Sequence, residues 1–277
     1  MRQLVYKPPK WIKNAESSLL AQKKYGERPD VAAMTVEQFL HPEQTPEGIP
    51  VIKDRATCYF LLQNEYRFQC ELKYMQEQNE DCFSFAYLSA AAYYRAITLS
   101  EQEQITNIAV ERAVANYAAD AGCIQTLIAV NEWEEAKALA QDRHDLYAAF
   151  LNGDDETAGA IVAQLPESLD QAEKKFKAYL ITFQKRILEA DVYRAFLSGD
   201  AAALLSAMTA YIRNYRRQPW DYSVVIDMFS TAMLKLARQR GIEIDLNIIE
   251  IPQFFLDESH RIDRNQTKLP ELPAVCN

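Results

Sequence analysis

Glycine is scarce in this chain, with 7 in 277 residues against about 7% in an average protein. The two nearest, Gly153 and Gly159, leave no way to write a GxxxxGK phosphate loop or a GxGxxG dinucleotide turn. Both cradles need glycine because the backbone must approach the phosphate closely. Hairpin-rich β folds are disfavoured for a related reason, since tight turns and bulges draw on glycine. Long apolar runs are lacking too. The longest uncharged stretch, Cys82–Tyr94, has 13 residues, short of the roughly 18 that a spanning helix needs. The first ten residues hold no apolar core of signal-peptide length, so no membrane association and a cytoplasmic location are expected.

Metal and nucleophile signatures are equally sparse. The three histidines are His41, His144 and His260, and neither HExxH nor ExxH occurs. The one DxxH, Asp257–His260, falls in a polar stretch near the end of the chain. GxSxG is absent, and nothing local marks Cys123 and His144 as a dyad. The five cysteines, Cys58, Cys70, Cys82, Cys123 and Cys276, form no CxxC. An odd, scattered set reads as reduced thiols used as small apolar residues. No cofactor, no metal and no catalytic residue is expected.

What is present is helix signal. The chain is 49% hydrophobic and 25% charged, enough for a substantial core. Residues 53–79 place Cys58, Leu61, Phe68, Leu72 and Met75 at alternating spacings of three and four, interrupted at Glu65. Tyr59, Leu62 and Tyr66 widen that stripe to a second face. Phe83–Thr98 reads as a buried helix. Ser100–Glu103 is a capping box opening a helix to about Asp120, and Ser168–Gln171 is another opening a helix towards Ala190. Tyr222–Arg240 is a third long helix, with Gly241 placed to cap it. Ile242–Leu246 alternates apolar and polar residues and predicts a short extended segment. Pro42–Pro50 is a proline-broken linker.

An internal repeat supports the same class. Leu146–Asp154 and Val192–Asp200 share six of nine residues at an offset of 46. In each copy Tyr, Phe and Leu lie at i, i+3 and i+4, a glycine stops the helix, and an aspartate caps the next. This spacing suits stacked helical hairpins of the tetratricopeptide or HEAT kind. The expected fold is therefore all-α, an irregular bundle of stacked helical hairpins with a short extended C-terminal segment. Residues 1–256 are expected to form one helical domain, in which 1–50 are an N-terminal arm and linker. Residues 257–277 are expected to be a loosely held tail.

Charge is spread unevenly. Residues 1–28 carry seven basic and two acidic groups, net +5, whereas residues 100–170 carry three basic and 14 acidic, net −11. The acidic middle argues against nucleic acid, because phosphate contacts need clustered Lys and Arg. It has two readings, a solvated helical face or a surface that attracts a basic protein. The same two readings apply to Glu132, Glu134 and Glu135, and to Asp154, Asp155 and Glu156. These groups complement helix dipoles, or they form an acidic rim facing a partner. Trp133 and Trp220, the latter followed by Asp221, lie at helix junctions where an aromatic either packs inward or anchors an interface. Arg213, Arg216 and Arg217 read as a solvated helix end.

The stretch from the Ala195–Asp200 helix end, through Trp220-Asp221 and Leu236–Gly241, to Ile251-Pro252 resembles the C-terminal half of the immunity protein 49 family. Its shared order is an "LxGD" helix end, a Trp-Asp helix start, "LAxxRG" with an extended apolar stretch, then a late proline. The resemblance covers roughly residues 146–256. It implies a mostly helical, non-catalytic antidote from a bacterial polymorphic-toxin system, which binds a cognate toxin, a nuclease among the candidates. The family has no catalytic motif to carry over. A basic toxin would then meet Glu132, Trp133, Glu134, Glu135, Asp154, Asp155, Glu156, Trp220 and Asp221. The alternative is a helical-repeat adaptor or scaffold without enzymatic activity. An enzyme with an unrecognised site is the third reading.

Overall fold

The computed structural model describes residues 30–100, 102, 117–168, 180–216 and 225–274. Ten α-helices lie among them, and no strand. They are α1 (Val31–Leu40), α2 (Arg55–Met75), α3 (Asn79–Ser100), α4 (Tyr117–Ala129), α5 (Trp133–Arg143), α6 (Asp145–Asn152), α7 (Asp155–Val162), α8 (Leu180–Ser198), α9 (Ala201–Tyr215) and α10 (Met228–Gln239). Consecutive helices pack as hairpins, α2 on α3, α4 on α5, α6 on α7 and α8 on α9. Helix α8 packs back on α7, and α10 returns across the chain to α4. The protein is all-α, built from stacked helical hairpins. No helix among the described residues is long and apolar enough to cross a membrane.

The helix stops follow the glycines. Gly153 and Gly199 take left-handed φ values of 70° each, a region that costs other residues strain. Each ends a helix whose successor is capped by the next aspartate. Asp154 accepts the amide of Thr157 at 3.0 Å, and Asp200 accepts those of Ala202 and Ala203 at 2.8 and 3.1 Å. Gly241 closes α10 with paired bonds, Ile242 to Ala237 and Gly241 to Arg238, each 2.9 Å.

The two repeat copies pack directly on each other. Tyr147 meets Tyr193 with the rings near perpendicular at 6.3 Å, and Phe150 meets Phe196 at 5.1 Å. Equivalent positions of the two copies therefore form one core layer. The copies differ in what precedes them. His144 caps α6 and separates it from α5, whereas the helix expected to end near Ala190 continues to Ser198. No breaker lies between Glu189 and Val192.

Other expectations shift. Leu61, on the expected stripe of α2, is 38% exposed, while Leu62, Glu65 and Tyr66 are buried. The buried face of α2 includes two carboxylates, Glu65 and Glu71. Helix α10 starts at Met228, several residues later than expected. Residues 225 and 226 are held off helical pairing by Glu71, whose carboxylate accepts both their amides, at 2.9 Å from Val225 and 3.2 Å from Ile226. Asp227 then caps the helix. Helices expected from Ser100 and from Ser168 lie largely outside the described residues.

After Gly241 the chain is extended, with Ile242, Ile244 and Leu246 buried and Glu243 and Asp245 exposed. It lies against the helices as a single unpaired strand-like segment. The stretch from Asp257 to Ala274, part of what the sequence reads as a loosely held tail, packs on the helices. Leu272 is buried with Phe39, Tyr59 and Leu62, and the Tyr59 hydroxyl donates to the carbonyl of Pro270 at 2.8 Å. Sequence reasoning missed this because the partners are a long run of residues away and the segment itself is polar.

Candidate functional site

The acidic helix starts divide into engaged and unengaged carboxylates. Glu132 and Glu135 lie beside the start of α5, and the guanidinium of Arg264 from the C-terminal segment pairs with both, at 2.7 Å from Glu135. The same guanidinium lies 5.8 Å from the Tyr87 ring centroid. Asp155 at the start of α7 pairs with Arg240 at 2.7 Å. Arg240 in turn lies 4.2 Å over the ring of Phe196. Internal cations thus hold three of the expected site residues.

Glu134, Asp154 and Glu156 are exposed, and none has an ion-pair partner among the described residues. Asp154 is the cap of α7, and its hydrogen bonds from Thr157 hold its carboxyl below the ordinary value. Trp133 is partly buried and packs against the main core. This places it as a packing residue at the edge of α5, where the sequence left core and interface open. Trp220 and Asp221 lie outside the described residues. The structure gathers Glu132, Trp133, Glu134 and Glu135 at one helix start, and Asp154, Asp155 and Glu156 at another.

Of the arginines read as a solvated helix end, Arg213 is exposed and Arg217 lies outside the described residues. Arg216 instead clamps the buried Glu250 with two bonds, at 2.6 and 2.9 Å, a geometry only a guanidinium fork gives.

The structure holds a buried polar system that sequence reasoning missed. Lys235 is fully buried in α10. Its ammonium donates to the carbonyls of Ala129 and Phe255, each at 3.0 Å, and to the side-chain oxygen of Asn131. Asn131 passes its amide on to the carbonyls of Asp257 and His260, at 3.1 and 3.0 Å. One lysine and one asparagine therefore tie α4, α10 and the C-terminal segment together. Burial pushes the Lys235 ammonium down to about 7. The sequence signal was a lysine set within Ala232–Ala237, an otherwise apolar run.

Asp227 is buried as well, and burial pushes its carboxyl up to about 6. It accepts from the Tyr211 hydroxyl at 3.5 Å and from the Ser230 amide at 3.3 Å. Burial also raises Glu189, which pairs with Lys185 at 3.6 Å. Asp227 thus caps α10 and bonds it to α9, while the Lys185–Glu189 pair lies within α8. Among the described residues no three His, Cys, Asp or Glu side chains converge in a way that could hold a metal ion. His260 and Asp257, the DxxH pair, meet at 3.4 Å, and the His260 ring lies 5.5 Å from Phe83.

No protein-family model, curated protein or solved structure matches the chain.

Proposed function

We propose that the chain is a non-catalytic antidote that binds a basic bacterial toxin through its acidic helix starts and neutralises it in the cytoplasm. The observation that carries the reading is the set of exposed carboxylates, Glu134, Asp154 and Glu156, which meet no cation among the described residues, in the segment of net charge −11. Exposed charge of one sign steers a basic partner and speeds its capture. A nuclease is such a partner, because it must be basic to hold phosphates. The likeness to the immunity protein 49 family over residues 146–256 supports the same reading. Glu132, Glu135 and Asp155 contribute to the field, with their charge partly offset by Arg264 and Arg240.

The adaptor reading is favoured by one observation, the direct stacking of the two repeat copies through Tyr147, Tyr193, Phe150 and Phe196. The two readings part in one experiment. The chain is purified with the product of the adjacent gene, and that product's activity is assayed with and without it. The antidote reading expects a stoichiometric complex and loss of activity. A product that is harmless when expressed alone overturns it.

A further inference from the structure

The α2–α3 hairpin brings Cys70 and Cys82 together with their sulfurs 3.4 Å apart. Cys70 lies near the end of α2 and Cys82 in the first turn of α3. Both are buried. The remaining described cysteines are placed differently. Cys58 and Cys123 donate to backbone carbonyls, of Thr35 at 3.9 Å and Ala90 at 3.4 Å. Twelve positions separate Cys70 from Cys82, so no short motif marked the pair.

We propose that Cys70 and Cys82 are an oxidation site, where a peroxide or a low-molecular-weight disulfide closes an intramolecular disulfide that ties α2 to α3. A disulfide needs its sulfurs at about 2.05 Å, so the pair must close by roughly 1.4 Å. With peroxide, one sulfur attacks the O–O bond after losing its proton. A sulfur–oxygen bond forms, the O–O bond breaks and water leaves. The second sulfur then displaces the sulfenic oxygen, the disulfide forms and a second water leaves. Two electrons pass from the thiols to the peroxide. With a small disulfide, two exchange steps release two small thiols.

The surroundings set both the rate and the consequence. Its contact with Cys82 and its burial push the Cys70 thiol well above its ordinary value, so thiolate is scarce in the closed hairpin. Reaction proceeds through opening of the hairpin end, where Gln76–Asp81 are exposed. The residues next to the two thiols hold distant parts of the chain. Glu71 accepts the amides of Val225 and Ile226, and Phe83 stacks on Phe255 at 5.5 Å. Cys70, Cys82, Phe83, Ile226 and Phe255 share one small core. A cross-link at this point bears on the start of α10 and on the C-terminal segment together.

The test oxidises the full-length protein with hydrogen peroxide or oxidised glutathione, then quenches, unfolds, alkylates and maps the peptides. The expected product joins the Cys70 peptide to the Cys82 peptide and is reversed by dithiothreitol. It forms about tenfold faster than any other cysteine pair, and faster still in low urea. The oxidised protein melts about 5 °C or more above the reduced one. Cys58→Ala leaves the product unchanged and Cys82→Ala removes it. Since a core substitution can itself loosen the hairpin, the map of the unsubstituted protein decides. Cys70 and Cys82 both still alkylatable after oxidation, or joined no faster than other pairs, overturns the proposal.

Discussion

His144 shows how one buried side chain writes a pH dependence into the fold. Its ring caps α6, with Nδ1 accepting the Tyr147 amide at 3.4 Å, and an acceptor there must be unprotonated. Burial pushes the ring down to about 4, whereas in the unfolded chain it protonates near 6.5. Between those values the unfolded state binds more protons, so stability falls as pH falls. The loss by pH 4.5 is about 2–3 kcal/mol. Asn caps as well and does not titrate. His144→Asn is therefore expected to lose less stability between pH 7 and 4.5 than the parent, by urea unfolding at both values. Equal losses would assign the acid sensitivity elsewhere. Lys235 has the opposite sense. Its folded value of about 7 lies below the ordinary one, so the buried charge is a penalty present below pH 7. That penalty is relieved as pH rises from 7 towards 10. Lys235→Met strands the acceptors at Ala129, Asn131 and Phe255, an expected cost of about 2–4 kcal/mol. It also flattens this alkaline rise, which thermal melts across the range would show.

Helices and their ends were the most legible part of the sequence, and the reason is local. A stop needs only a residue that tolerates positive φ, and a start needs only a short polar acceptor. Both signals stand within a few residues of the break they make, as at Gly199 and Asp200. A Cβ at Gly199 would meet nothing within 4 Å, so Gly199→Ala tests backbone strain alone. The expected cost is about 1 kcal/mol, read as a lower urea midpoint at unchanged slope, and Gly199→Asn is expected to cost less. An unchanged midpoint would deny the glycine its role. What the sequence hid depends on partners far along the chain. Glu71 finds the amides of Val225 and Ile226 more than 150 residues away, at separations of 154 and 155. That carboxylate lies on the buried face of α2 and accepts the amides just ahead of α10. Lys235 reaches Ala129 across 106 residues. No periodicity within α2 or α10 reports such contacts.

Across the whole molecule the C-terminal segment acts as a clasp. It bonds α2 through Tyr59, the α4–α5 turn through Asn131, and the start of α5 through Arg264. This changes which acidic residues are free to meet a partner. Composition marked the acidic region, but only the fold could show that Arg264 and Arg240 already occupy part of it. Under the proposed antidote reading, Glu134→Lys with Glu156→Lys is expected to slow association with the proposed toxin about tenfold at low salt. The difference should shrink as salt screens exposed charge. Glu135→Lys would confound that reading, because it also releases Arg264.

The central claim, that this surface neutralises a toxin, is tested most directly by growth. The product of the adjacent gene is expressed from an inducible promoter, alone and together with this chain. Growth arrest by the product alone, relieved by the chain and relieved less well by the Glu134→Lys, Glu156→Lys variant, is the predicted result. Arrest that the chain leaves untouched, or no arrest at all, would contradict the account.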